Sequence, residues 1–196
     1  AKRVVLAVPY FVAARTIEGL APAQRYALGC QSYCCYVVAN LCFDRVVSFK
    51  AYDNWVPSAG QWDDYLPVGW ADKEAEKPRA PAGQVIGVFA SQRRPVLARW
   101  RMLVQRPEHF ARPIVAAFEK LHPGSVAHLR QVHMTRWGHA IIINQPGMYT
   151  KWLPKLSKRH GPVYLAHSDG QGLPAVESST AEAFVAAKEI RERWKK

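Results

Sequence analysis

Apolar residues run without interruption through RVVLAVP (residues 3 to 9) until Pro9 ends them. A valine-rich run with no alternation is the pattern of a strand buried on both faces. FVAARTIEGL follows with helical spacing at Phe11, Ala14, Ile17 and Leu20, and Gly19 acts as the stop signal. YVVANLCF (36 to 43) and QVIGVFA (84 to 90) predict strands. Between them, prolines, glycines, acids and Trp55, Trp62 and Trp70 predict irregular structure with one hairpin. PVLARWRMLVQ (95 to 105) and EHFARPIVAAFEKLHPG (108 to 124) predict helices. The second carries Phe110, Ile114, Ala117, Phe118 and Leu121 on one stripe. AHLRQVHMTRW (127 to 137) and AIIIN (140 to 144) predict two further strands, and KWLPKLSKRHG a basic connector. A strand at 162 to 166, a loop at 167 to 173 and a helix from 174 to about 194 close the chain. Strands and helices in alternation predict a mixed α/β or α+β fold.

Composition narrows the classes. A chain of 196 residues, 49% hydrophobic and 21% charged, suits one domain or two small ones sharing a core. No apolar run approaches the ~18 residues that span a bilayer, and no small-residue cleavage site follows the apolar N-terminal stretch. The net charge of +12 raises the question of nucleic acid. The basic residues are scattered, however, and no nucleic-acid-binding motif accompanies them, so a solvated face or an acidic partner chain is the expectation. Cys30, Cys34, Cys35 and Cys42 lack CxxC or histidine spacing, which predicts free thiols and no zinc site.

The closing segment, YLAHSDGQGLPAVESSTAEAF (164 to 184), concentrates the candidate chemistry. Asp169 stands at the carboxyl end of a strand, where it can accept hydrogen bonds from sugar-like hydroxyls. Gly170 and Gly172 allow close approach to the backbone. Pro174 suits a first helical turn, whose unpaired N–H groups favour an electron-rich group. Val176, Thr180, Ala183, Ala187, Ile190 and Trp194 predict one buried stripe. Spacing alone favours an ordinary strand-turn-helix.

This segment resembles the C-terminal FAD-binding motif of the flavin-containing amine oxidase superfamily. There a strand ends in a small residue and an acid, and a glycine-containing loop leads to a long helix. Ala166-His167-Ser168-Asp169 replaces the usual alanine-glycine-acid, a departure associated with the branch resembling bacterial spermidine dehydrogenase. YVVANLCFDR (36 to 45), AYDNWV (51 to 56), MTRWGHAIIINQPGMY (134 to 149) and RVVLAVPYF fit the same branch. The resemblance implies the C-terminal portion of a two-domain fold, with part of an FAD-binding Rossmann-like domain and part of a substrate domain. Residues 1–20 would be the return strand and helix, 21–135 the substrate region, and 136–196 the flavin-contacting segment. It further implies hydride transfer from the carbon beside an amine nitrogen to FAD. Carried over by position, Pro9, Trp137, Gly138, His167, Ser168, Asp169, Ala175, Val176 and Glu177 would meet the cofactor. Trp137, His139 and Tyr149 would lie near the reacting centre, His139 as a positioning group, with Arg136 beside it as a structural pair or a ligand.

The GxGxxG fingerprint that opens this family is missing, and the GQG at 170 to 172 follows the wrong strand. The expectation is therefore a partner: an N-terminal half carrying the fingerprint, as a separate chain or a further segment. A small amine is the expected substrate and the electron acceptor is open. Asp53, Asp63 and Asp64 with Trp55, Trp62 and Trp70 would suit a polyamine, although the basic chain opposes steering of a polycation. An amino acid is the competing substrate, and loop packing is an equal account of the tryptophans. A non-catalytic subunit of the same fold and a basic nucleic-acid-binding protein are the readings from other classes.

Overall fold

The computed structural model describes residues 2–48, 52–57, 62–68, 83–156 and 159–194. The chain divides into two units, residues 1–33 with 141–196 and residues 34–140.

The second unit is built on a five-stranded sheet with the order β3-β4-β5-β2-β6. Its strands are β2 (Tyr33–Phe43), β3 (Asn54–Trp55), β4 (Asp64–Val68), β5 (Gln84–Gln92) and β6 (Leu129–Ile142). β2 and β5 pair antiparallel from Cys35↔Gln92 to Phe43↔Gln84. Burial alternates strictly along β2, as a pleated strand with one covered face requires. The covered face (Val37, Ala39, Leu41, Ile86 and Val88) packs under α3 (Pro95–Val104) and α4 (Pro107–Leu121). From these helices Ala98, Met102, Phe110, Ile114 and Phe118 enter the core. Phe118 stacks on Phe43 at 5.6 Å and meets Tyr65 edge-on at 5.5 Å. β3 and β4 form the anticipated hairpin. The two strands expected at 127–137 and 140–144 are one continuous β6, because Gly138 stays extended and the Arg99 side chain lies against it.

The first unit holds a two-stranded parallel sheet, β1 (Val4–Leu6) with β7 (Val163–Leu165). α1 (Tyr10–Thr16), α2 (Pro22–Gly29), the short α5 (Leu153–Leu156) and α6 (Val176–Trp194) complete it. Tyr10, Ala13, Leu28, Tyr33, Met148 and Leu156 anchor its core. Four expectations change here. β1 is not buried on both faces: Val4 and Val5 are 39% and 47% exposed, since β7 is its only strand partner among the described residues. α1 ends at Thr16, short of Leu20, and a second helix, α2, packs on it. Residues 21–33, expected with the substrate region, thus belong to this unit. Finally, α6 buries Ser178 and Ala186 rather than the predicted stripe, and Val176 and Trp194 are exposed. The small face of α6 (Ala183, Ala187, Ile190, Trp194) instead joins Val5 in an open apolar groove of about 480 Å³.

Among the described residues no helix is long and apolar enough to cross a membrane. All four cysteines are free thiols, Cys35 buried and the others partly covered. Burial pushes the Cys35 thiol above its ordinary range.

Candidate functional site

β7 delivers the chain to the candidate site. Its last hydrogen bond to β1 is made by the Ala166 N–H to Leu6 O, at 3.0 Å. His167 then turns the chain into a single 3-10 turn, Ser168–Gln171, which Gly172 closes at φ +62°. A side chain at Gly172 would be strained and would meet Asn144 Oδ1 at 2.9 Å. Gly170 is small for a different reason. A Cβ there would lie 2.5 Å from Glu182 Oε2 and 2.8 Å from the Tyr10 hydroxyl. Both glycines thus serve the chain's own packing, where sequence spacing suggested room for a ligand.

Asp169 is at the centre. It is 2% exposed, and its Oδ2 accepts the Tyr10 backbone N–H at 2.9 Å and the Tyr33 hydroxyl at 2.5 Å. His167 Nδ1 lies 3.2 Å from Oδ1 and accepts the Asp169 N–H at 3.2 Å. That bond leaves the proton of a neutral ring on Nε2. Burial first, then the hydrogen bond and charge of Asp169, push the ionisation of the Tyr33 phenol far above its ordinary value. Glu182, half-buried on α6, is also shifted upward by burial, against a hydrogen bond from Gln171.

α6 begins at Val176, two residues later than Pro174 suggests. The Ala175 N–H is already bonded to Leu173 O at 2.9 Å, and the Ala175 carbonyl accepts from Ser179 at 3.2 Å. Ala175 is therefore a capping position and has no free donor. Val176 is 79% exposed and Glu177 is exposed, so the first turn of α6 reaches solvent.

Pro9 and Tyr149 belong to the same unit as this loop. The Pro9 carbonyl accepts from Val12 and Ala13 at the start of α1. Tyr149, 59% exposed, receives a 3.2 Å hydrogen bond from Asn144. Trp137, Gly138 and His139 lie on β6 in the other unit, with Trp137 51% exposed and His139 exposed. Arg99 reaches the Gly138 carbonyl at 3.3 Å. Arg136 bonds Met102 O at 2.6 Å and Gln105 O at 3.2 Å, a structural pairing that ties β6 to the end of α3.

The acids and tryptophans of the second unit separate. Trp62 is core, edge-on to Tyr65 at 5.6 Å. Asp63 accepts the Ser91 N–H at 2.9 Å. Trp55, 71% exposed, donates to Asp53 at 3.1 Å and pairs across the strands with Asp64. Asp64, opposite Phe89 on β5, has its carboxyl raised by burial and then by Asp53 and Asp63. Trp70 lies outside the described residues. Among the described residues no three metal-ligating side chains converge.

Tyr10, Tyr33 and Glu182 were not singled out from the sequence. Tyr10 and Tyr33 are separated from Asp169 by 159 and 136 residues. No local sequence signal links them to it.

No family model matches the sequence, and no curated protein sequence matches it. Solved structures do match in fold. Cyclohexylamine oxidase from Brevibacterium oxydans IH-35A aligns with a TM-score of 0.74 at 16% identity, over 100% of this chain and 44% of its own. Putrescine oxidase bound to putrescine gives 0.69 at 14%, over 96% and 42%. An oxidoreductase from Methanosarcina mazei gives 0.64 at 13%, over 96% and 43%. The fold is that of the C-terminal portion of these oxidases, and the chain spans less than half of their length.

Proposed function

We propose that this chain is the C-terminal part of an FAD-dependent oxidoreductase that oxidises an amine. The observation that carries the reading is the fold match to cyclohexylamine and putrescine oxidases over nearly every residue of this chain. The β7–loop–α6 segment lies within that match and carries the motif the sequence resembles.

The donor set fits one side of a flavin. Val176 and Glu177 stand in a solvent-reaching first turn whose N–H groups favour negative charge, and His167, with Nδ1 taken by the Asp169 N–H, keeps Nε2 as a donor. The chemistry supplied by FAD when bound is acceptance of a hydride from the carbon next to an amine nitrogen, after which the imine hydrolyses. Within the first unit, His167, Ser168 and the α6 start would hold and orient the cofactor, and Tyr149 presents an exposed ring; in the second unit Trp137 presents another. His139 positions. Asp64 beside Trp55 on one sheet face suits an ammonium group. The fingerprint for the pyrophosphate comes from a portion outside this chain. The open edge of β1 and the apolar groove along α6 are where that portion would dock, since parallel sheets are stable when covered on both faces.

Anaerobic addition of amines to the complete protein tests this reading. Putrescine, spermidine, simple monoamines and basic amino acids form the panel. Bleaching of the flavin absorbance by at least one amine is expected, faster as pH rises and the bound amine loses its proton. A flavin-loaded protein bleached by none of them would be a non-catalytic subunit of this fold.

A further inference from the structure

We propose that Asp169 is a positioning residue: it acts through Tyr33 and Tyr10 to build the loop facing the cofactor, and it does not itself touch the cofactor. The loop's use rests on the flavin reading above; the lock itself does not. A carboxylate has about four lone-pair directions. On Oδ2, two are filled by the Tyr10 N–H and the Tyr33 hydroxyl. Oδ1 lies against His167, and the side chain is only 3% exposed. With Oδ2 doubly bonded and the side chain 3% exposed, a sugar hydroxyl arriving from solvent meets almost none of the carboxylate.

The partners show what the carboxylate is for. The Tyr10 N–H belongs to the first turn of α1, which has no side-chain cap of its own and therefore no internal acceptor for that donor. Tyr10 and Tyr33 are both buried, at 0% and 4% exposure. Tyr33 also meets Phe11 edge-on at 5.1 Å, so its ring is held from a second side. One carboxylate thus joins the start of α1, the start of β2 and the loop between β7 and α6. Removing it takes away an acceptor shared by two buried donors, and those donors sit in the segments that shape the loop.

A double-variant cycle in the complete protein tests this, using Asp169→Ala, Tyr33→Phe and the pair. Melting temperatures are read on the flavin-free protein, and FAD affinity by titration. Asp169→Ala is expected to lower the flavin-free melting temperature by about 5 °C or more, with the double variant melting no lower than Asp169→Ala alone. Tyr33→Phe, which leaves the carboxylate in place, is expected to weaken FAD binding roughly tenfold, with the pair non-additive. The proposal is overturned if Asp169→Ala melts like wild type while losing FAD, or if Tyr33→Phe binds FAD like wild type. Should Asp169→Ala fail to fold, Tyr33→Phe decides by the same criterion. Should the wild type bind no FAD, the flavin reading fails, and the melting data alone still judge the lock.

Discussion

The two units of this chain use similar apolar material and reach different degrees of completion. In the second, β2 and β5 pair over nine residues, and their inner face is sealed by α3 and α4 around Phe118. In the first, an equally apolar run ends as a three-residue strand with Val4 and Val5 exposed, beside a helix whose small face lines an open groove. An antiparallel sheet with helices on one face closes its own core. A parallel pair does not, because its strands are apolar on both sides and call for cover on both. The difference leaves the first unit with the more uncovered apolar surface.

The largest effect expected from breaking this contrast is in the sealed unit. Phe118→Ala removes a ring in contact with Phe43, Tyr65 and His122, and should cost roughly 3–5 kcal/mol in denaturant unfolding. A loss below about 1 kcal/mol would mean that core is not closed. On the open unit the opposite is expected of Ala187→Glu, which puts a charge on the exposed face of α6. The chain's own stability should stay within about 0.5 kcal/mol of wild type, while co-purification with the fingerprint-bearing portion is lost. Unchanged co-purification would remove the groove from the docking surface.

Two glutamates sharpen the contrast with smaller effects of opposite sign. Glu119, in the second unit, accepts from the Val126 and Gly124 N–H groups and the Ser125 hydroxyl, which lower its pKa. Its stabilisation is present above the unfolded carboxyl pKa of about 4.3 and lost as pH falls through the lower folded value. Glu119→Gln should therefore melt lower than wild type at neutral pH and equally in strong acid. Glu182, in the first unit, has its pKa raised chiefly by burial. Its contribution is present below the unfolded pKa and lost as pH rises through the folded one. Glu182→Gln should melt slightly higher than wild type at neutral pH, with the gain disappearing in acid. Same-sign shifts in both variants would contradict the two environments.

Much of this arrangement was legible in the sequence. Turn signals and apolar runs located β5, α3, α4 and the closing strand-loop-helix to within a few residues. What escaped has physical causes. α2 was missed because only Ala27 and Leu28 of its eight residues are buried, too few for a periodic signal. β6 was split at Gly138, where Arg99 packs against an uninterrupted strand. The buried face of α6 was misassigned because it is formed by Ser178 and Ala186 with the half-buried Glu182, while the more apolar Val176, Phe184 and Val185 are exposed. Asp169 was found, but its partners lie more than a hundred residues away and no local pattern announces them.

On the proposed reading, this chain supplies one side of a flavin site that a portion outside it completes. FAD titration of this chain alone, beside the complete protein, tests that claim most directly. One tightly held FAD is expected in the complete protein, and none retained by this chain through gel filtration. Stoichiometric FAD on this chain alone, or none on the complete protein, would contradict it.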